Sequence, residues 1–238
     1  MAALDKLPGR PACAGALILF FVCMTWQAGK AGLSDHYVQL ADREITRWLT
    51  PGNKARGDEL ARVEQHLSDS LRYWPHNAWA LEEMGTNELR RMTAVPDPAL
   101  AVAAVRSAYD YFRLTLIQRP SSPFAWEKLA RSKLYLEELD DEFLAALRHA
   151  DELGPWEPDV QQAVIFLGLA AWQKLGPAQQ AAVIRTLERA TLRNAPKVTE
   201  IVKSFNRLDL LCAINNSKLK IEEACNRLKK QGPRSNHL

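Results

Sequence analysis

Histidines and glycine-containing motifs are the first places to look for chemistry in this 238-residue chain. No pair of histidines has the H-x-x-x-H or H-E-x-x-H spacing of metal ligands on a helix; the five are His36, His66, His76, His149 and His237. The G-x-S-x-G, Walker and G-x-G-x-x-G motifs are also missing from the sequence. We therefore predict no catalytic residue, no metal ligand and no cofactor, and we expect that the protein is not an enzyme.

A short acidic run is the next candidate, because clustered carboxylates can bind Ca²⁺. The run consists of Glu137, Glu138, Asp140, Asp141 and Glu142. It lacks the order of acidic residues and glycine that an EF-hand loop needs. We predict a solvated turn whose last carboxylates lie at the start of a helix, where the helix dipole favours negative charge.

Aromatic residues cluster in the segment YWPHNAWALEEMG, residues 73–85. Aromatic rings stack on sugar faces, so Trp74, His76 and Trp79 are candidate contacts for a glycan or a partner protein. A packed core between helices is the favoured interpretation of these rings. A glycosidase needs two carboxylates that face each other across the scissile bond. Glu82 and Glu83 are adjacent on one predicted helix and point to different faces, so they do not supply such a pair.

Two cysteines of the predicted soluble part flank a turn signal. Cys212 precedes Asn215-Asn216-Ser217, and Cys225 follows it. An oxidising compartment favours a disulfide between them, and two separate buried thiols are the alternative. The axial offset of about 7.5 Å between antiparallel helices exceeds the roughly 7 Å that a disulfide allows between Cα atoms. The bond therefore requires a longer loop than the pattern indicates.

Helical periodicity fills the rest of the chain, and strand signals are nearly absent. The predicted helices cover 33–49, 58–74, 78–92, 99–118, two segments within 120–155, 158–175, 177–193, 197–214 and 218–230. Prolines end successive helix pairs at positions 75, 120, 155 and 196. The helix 158–175 is apolar almost all round, so we predict that it is the most buried.

The pair within 120–155 resembles a tetratricopeptide repeat, and it has an aromatic residue and small residues at the expected places. These are Trp126, Leu129 and Ala130 in the first helix, and Ala146, Ala150 and Pro155 in and after the second. Gly85, Ala130 and Gly168 occupy similar places in their units, where a small side chain lets the partner helix approach. We predict an all-α fold, a tetratricopeptide-like stack of antiparallel helix pairs (an α-solenoid) behind an N-terminal membrane-anchor helix.

The first 30 residues form a membrane anchor or a signal segment. Lys6 and Arg10 precede an uncharged apolar run, residues 11–28, that would span about 27 Å as a helix. No convincing cleavage site follows, so an uncleaved anchor is favoured over a cleaved signal peptide. The predicted domains are 1–30 (anchor or signal), 33–230 (helical repeats) and 231–238 (disordered tail). The two basic residues favour a cytoplasmic N-terminus, which places the rest outside the cytoplasm.

The formal net charge of +3 is too small to indicate a nucleic-acid-binding protein. Positive charge is concentrated in residues 197–238, which contain nine Lys or Arg and four Asp or Glu. This basic segment is a candidate contact for an acidic polysaccharide, an acidic partner protein or anionic lipid. A solvated helix face followed by a disordered tail is the simpler interpretation.

Residues 33–228 together resemble the VpsP-like family of polysaccharide-biosynthesis proteins of Gram-negative bacteria. The resemblance depends on the short anchor and on the segments YWPHNAWALEEMG, RPSSPFAWEKLARSK, GPWEP with AVIFLGLAAW, and RNAP. It implies a non-enzymatic periplasmic scaffold, held in the inner membrane by one span. Its implied partners are other polysaccharide assembly or export proteins. The alternatives are a glycan-binding or glycan-processing envelope protein, and a general envelope chaperone or assembly protein.

Overall fold

The computed structural model describes residues 10–48 and 57–214. Within these ranges the chain forms nine α-helices and one 3-10 turn, and it contains no strand. The helices are α1 (Arg10–Trp48), α2 (Gly57–Tyr73), α3 (Ala78–Ala94), α4 (Pro98–Gln118), α5 (Pro123–Tyr135), α6 (Asp141–Leu153), α7 (Pro158–Ala170), α8 (Pro177–Ser204) and α9 (Leu208–Ala213); the 3-10 turn is Trp172–Lys174. The all-α prediction is confirmed.

Capping side chains and prolines explain where the middle helices begin. The side chains of Asn77, Asp97, Ser122 and Asp140 accept hydrogen bonds from backbone N–H groups in the first turns of α3, α4, α5 and α6. A proline occupies the first turn of α4, α5, α7 and α8, where its missing N–H costs no helical hydrogen bond. The predicted bounds of α2, α3 and α4 are confirmed to within two residues.

Helix α1 is a single helix of 39 residues. The sequence suggested an anchor to residue 30 and a separate helix from residue 33. The structure joins them without a break, because residues 29–33 contain no proline and Gly29 and Gly32 are exposed and tolerated within the helix. The apolar first half therefore passes straight into the half that packs on α2.

The predicted helix 197–214 is wrong. Helix α8 continues to Ser204, and a left-handed residue, Asn206 with φ 55°, separates it from α9. Within α8 the predicted break at Asn194 is present as a kink, where φ is −145°. The Asn194 side chain caps the second half by accepting from the backbone N–H of Lys197 at 3.3 Å. This explains how Pro196 fits inside α8, since it lies in the first turn of that half.

The predicted helix 158–175 is shorter than expected, because α7 ends at Ala170 and a 3-10 turn follows. Its predicted burial is confirmed, with eight of its 13 residues buried. Predicted elements beyond residue 214 lie outside the described residues. These are the helix 218–230, Cys225 and the tail 231–238.

Neighbouring helices pack side by side and run in opposite directions, as contacts between their ends show. Ser34 in the middle of α1 contacts Ser70 near the end of α2, and Asn87 late in α3 donates to the carbonyl of Leu60 early in α2. Lys133 at the end of α5 contacts Glu142 at the start of α6. Helix α5 also packs against α3 and α7, so the pairs contact one another.

Two glycines allow the closest of these approaches. A Cβ atom on Gly85 would lie 2.6 Å from the Cε1 atom of Phe112, which is fully buried in α4. A Cβ atom on Gly168 would collide with Val183 of α8. The prediction that small residues at these positions admit the partner helix is confirmed, and Ala130 at the third position is fully buried.

Successive turns line up along one edge, which we call the anchor edge: residues 74–77, 119–122, 154–157 and 193–195. His76 lies 3.4 Å from the Nε2 atom of Gln118. Gly154 packs on Pro123, and Arg193 donates to the carbonyl oxygen of Trp156 at 2.6 Å. The turns at residues 95–97, 136–140 and 171–176 form the opposite edge, which we call the distal edge.

Candidate functional site

An open pocket of about 260 Å³ lies where α1 meets the turn between α2 and α3. We call it the junction pocket. Its lining combines aromatic, hydroxyl, amide and carboxylate groups; the residues are Ala31, Ser34, Asp35, Trp74, His76, Asn77 and Ala78. An aromatic face beside hydrogen-bonding groups is the chemistry that suits a sugar or a polar headgroup.

A buried hydrogen-bond network forms the floor of this pocket. Ser34 is fully buried, and its hydroxyl lies 2.8 Å from that of Ser70, which is also fully buried. The side-chain amide of Asn77 donates to Ser34 Oγ at 2.9 Å, and its carbonyl caps α3. One asparagine thus fixes the start of α3 and ties it to α1, so the anchor-bearing helix and the pocket wall are held together.

The three predicted contact residues, Trp74, His76 and Trp79, do not all lie at the same site. Trp74 is half-buried and lines the junction pocket, together with the exposed His76. Trp79 does not line the pocket, because its ring packs on the hydrophobic cluster that joins α1, α2 and α3. Sequence reasoning missed the stacked pair of Tyr37 and Tyr73, whose ring centroids are 5.8 Å apart with 10° between their planes.

Glu82 and Glu83 have different partners, which agrees with their adjacent positions on α3. Glu82 accepts from Lys128 of α5 at 2.7 Å and lies 3.7 Å from Arg119. Glu83 lies 3.6 Å from Arg90 on its own helix. The contacts of Glu82 tie α3 to α5 and to the turn after α4, whereas the contact of Glu83 stays within α3.

Glu127 is a buried carboxylate on α5. Burial raises its pKa, and the charge of Arg131, 3.1 Å away, opposes that rise. The Arg131 guanidinium also lies 5.8 Å from the centre of the Phe166 ring on α7. Arg131 thus pairs with the Glu127 carboxylate on α5 and contacts α7 through the Phe166 ring.

The acidic run has a partner inside the protein. The Lys133 side chain is only 4% exposed, and its ammonium lies 2.9 Å from both Asp140 and Glu142 and 3.5 Å from Glu138. Burial alone would lower the pKa of Lys133, but hydrogen bonds to Glu142 and Asp140 outweigh it and raise that pKa. The prediction of a solvated turn with helix-start carboxylates is confirmed, since Glu137, Asp140 and Asp141 are exposed, but that prediction did not include the pairing with Lys133.

Other side chains surround this Lys133 cluster. Tyr109 donates to Glu142 at 2.8 Å, and Arg106 donates to Glu138 at 2.7 Å. Burial pushes the pKa of Glu142 upward, but the hydrogen bonds from Lys133 and Tyr109 prevail and lower it. Sequence reasoning missed Lys133; the available signal was a lysine placed between the apolar residues Ala130 and Leu134, just before the acidic run.

Among the residues that the structure describes, no group of three or more His, Cys, Asp or Glu side chains is arranged to hold a metal ion. Cys212 lies in α9, next to the buried Leu211. Its predicted partner, Cys225, lies outside the described ranges, so the disulfide stays a prediction.

Helix α1 is the one helix in the described ranges that is long and apolar enough to cross a membrane, by length and composition. No residue of its most apolar stretch is buried. Large apolar side chains are exposed all round this stretch; they are Leu17, Ile18, Leu19, Phe20, Phe21, Val22, Met24 and Trp26. Membrane spans and N-terminal signal sequences both have apolar residues on every side of the helix.

Comparison of the chain with family models, with curated proteins and with solved structures finds no match. The resemblances noted in the sequence therefore stay predictions from the residues quoted for them.

Proposed function

We propose that this protein is a non-enzymatic, membrane-anchored scaffold whose helix pairs bind other proteins next to the membrane. The observation that carries the proposal is the continuity of α1. Its first half exposes apolar side chains on every side, and its second half contributes Ala41 and Ile45 to the hydrophobic cluster with α2 and α3. The helix that carries the exposed apolar stretch is thus the same helix that packs on the rest of the domain.

The helix arrangement supports a degenerate tetratricopeptide-like α-solenoid. Antiparallel neighbours, the close approaches at Gly85 and Gly168, and the contacts of α5 with α3 and α7 are the features expected of stacked pairs. In such a stack α3, α5 and α7 share one face. We expect a partner protein to dock on this face, where Arg131 and Lys128 are partly exposed and are paired with Glu127 and Glu82.

The anchor is tested by the state of the mature N-terminus and by extraction. An uncleaved anchor gives a mature protein that begins at Met1 or Ala2 and stays in the membrane in alkaline carbonate. A mature protein that begins near Gly32 would contradict the anchor and identify residues 1–30 as a signal peptide. The charge distribution around the span supports one membrane crossing with the helical domain outside the cytoplasm, in the periplasm of a Gram-negative cell.

The partner class follows from the resemblance to VpsP-like proteins and from no structural observation. It suggests that the scaffold assists the biosynthesis or export of an exopolysaccharide. Crosslinking in intact cells, followed by purification from membranes, should recover polysaccharide polymerase or export proteins. Recovery of cytoplasmic proteins alone would overturn both the partner class and the location.

The junction pocket favours a second candidate function, the binding of a glycan. The supporting observation is the half-buried Trp74 beside His76, Asn77 and Asp35. Titration of the detergent-solubilised full chain with the polysaccharide of its own cell tests this candidate. Binding that is lost in Trp74→Ala and kept in Trp156→Ala, an exposed tryptophan outside the pocket, would favour the glycan function. Equal binding by both variants would reject it.

A further inference from the structure

The continuous helix α1 fixes the height of the helical domain above the membrane. The apolar run ends at Ala28, and the helix already lines the junction pocket at Ala31 and is fully buried at Ser34. At about 1.5 Å per residue, these positions lie only about 5 Å and 9 Å beyond the end of the run. The headgroup layer on each side of a bilayer is about 5–8 Å thick. The domain therefore begins at the headgroups.

The turn between α2 and α3 lies at the same height as Ser34, since Asn77 donates to Ser34 Oγ at 2.9 Å. This turn presents His76 and Pro75 to the outside, with Trp74 half-buried behind them. Trp26, 71% exposed near the end of the apolar run, belongs to the residue type that prefers the boundary between membrane and water. Aromatic and polar groups thus meet at the level of the headgroups.

The rest of the anchor edge extends this surface away from α1. Contacts between successive turns lead from His76 through Gln118 and from Pro123 to Gly154. Large apolar side chains are exposed along this edge or at the helix ends that reach it; they are Leu114, Ile117, Leu153, Trp156 and Leu192, with Ile117 72% and Trp156 62% exposed. Exposed apolar residues at several consecutive helix ends are a feature of surfaces that meet a membrane or a protein.

Exposed apolar side chains, and not charge, distinguish the two edges. Ile117, Trp156 and Leu192 on the anchor edge are 62–72% exposed, whereas Leu100 and Val102 at the distal edge are 57% and 55% exposed. The acidic run of the distal edge is paired internally with Lys133 and Arg106. The orientation that α1 imposes thus directs the more apolar edge toward the lipid.

We propose that the anchor edge is a lipid-facing surface, covered by the headgroup layer of the bilayer that holds α1, with the Trp156 ring inserted among the headgroups. The proposal rests on the membrane anchoring proposed above. It makes the helical domain lie along the membrane and directs the distal edge and the α3–α5–α7 face to other partners. The junction pocket then opens toward lipid headgroups.

Photo-crosslinking of the full chain in its own membrane tests this surface. A benzophenone amino acid, p-benzoylphenylalanine, replaces His76 or Trp156 on the anchor edge, and Leu100 on the distal edge is the matched control. Leu100 is 57% exposed, which is close to the 62% of Trp156, so none of the replacements disturbs a buried site. Circular dichroism confirms that each variant keeps its helices. Irradiation followed by mass spectrometry identifies the adduct.

Phospholipid adducts at positions 76 and 156, with at least a tenfold lower yield at position 100, are the expected result. Protein adducts at 156 would overturn the proposal, because they would identify the edge as a protein interface. Equal lipid yields on both edges, or no lipid adducts at all, would overturn it as well. Carbonate extraction of the same samples distinguishes the membrane anchor from the lipid-facing surface. A protein that resists extraction but gives no lipid adducts has the anchor and lacks the lipid-facing surface.

Discussion

The α5–α6 turn and the α2–α3 turn lie on opposite edges of the molecule. The polar side chains of the first are paired inside the protein, and those of the second line an open pocket. At the α5–α6 turn, three carboxylates converge on the buried ammonium of Lys133. At the α2–α3 turn, Trp74 and His76 line an open pocket, and Ser34, Ser70 and Asn77 form the hydrogen-bonded floor beneath them. A cluster of charges whose counter-ion is a side chain of the same protein stabilises the fold, and a cluster left open remains accessible to a ligand.

The replacement Lys133→Met tests the closed cluster and should have the largest effect. It keeps the packing volume but removes the ammonium that the three carboxylates share, so their mutual repulsion is opposed by the remaining contacts of Glu138 with Arg106 and of Glu142 with Tyr109. We expect the free energy of unfolding to fall by about 1–2 kcal/mol, which lies at the lower end of the range for a hydrogen bond to a charged group. We choose this lower value because the three carboxylates are a third or more exposed to solvent, which screens their charge. Urea unfolding measures the loss. Lys174→Met, an exposed residue on the same edge, is the control and should leave stability unchanged.

The pH dependence of stability gives a second measure of the same cluster. Hydrogen bonds lower the pKa of Glu142 and Asp140 against the opposing effect of burial, and a hydrogen bond from Arg106 lowers that of Glu138. A lowered carboxyl pKa contributes stability that is present above the unfolded value, about 4, and is lost as the pH falls through the folded value. Unfolding from pH 7 to pH 3 should show this loss in the wild type. The loss should shrink in Lys133→Met, and an identical pH profile would reject the role of the cluster.

The replacement Asn77→Ala tests the floor of the open pocket and should have an intermediate effect. It removes the N-cap of α3 and the hydrogen bond to Ser34, which together stabilise the fold by about 1 kcal/mol. Thermal unfolding measures this change. Asn77→Asp keeps the capping oxygen and loses only the donor to Ser34, so it should recover most of the stability. Equal losses in both variants would mean that the contact with α1 matters more than the cap.

The replacement His76→Ala should have the smallest effect on stability. His76 is exposed, and it lies 3.4 Å from the Gln118 side chain, so the change in the free energy of unfolding should stay within about 0.5 kcal/mol. Its effect on ligand binding should be larger, because it removes one wall of the junction pocket. A large loss of stability would show that the α2–α3 turn is as closed as the α5–α6 turn and would remove the contrast.

Local signals in the sequence determined most helices and many of their ends. Helical periodicity and the prolines at positions 75, 120 and 155 indicated the segments that form α3 to α6, because such signals act over a few neighbouring residues. The structure adds the caps of these helices at Asn77, Asp97, Ser122 and Asp140. The small residues Gly85 and Gly168 also indicated close helix approach before their neighbours were known. The sequence also predicted that α1 is able to cross a membrane, because length and composition are sufficient to identify such a helix.

Tertiary structure decided which side chains meet. Lys133 finds its carboxylates only because α5 and α6 run in opposite directions from one short turn. Ser34 and Ser70 are 36 residues apart in sequence, and only helix packing forms their hydrogen bond and the pocket above it. Trp74 and Trp79 look alike in the sequence and are both half-buried, but the Trp79 ring packs on the cluster that joins α1, α2 and α3, whereas Trp74 lines the pocket. Such contacts depend on the relative positions of whole helices, which local sequence does not specify.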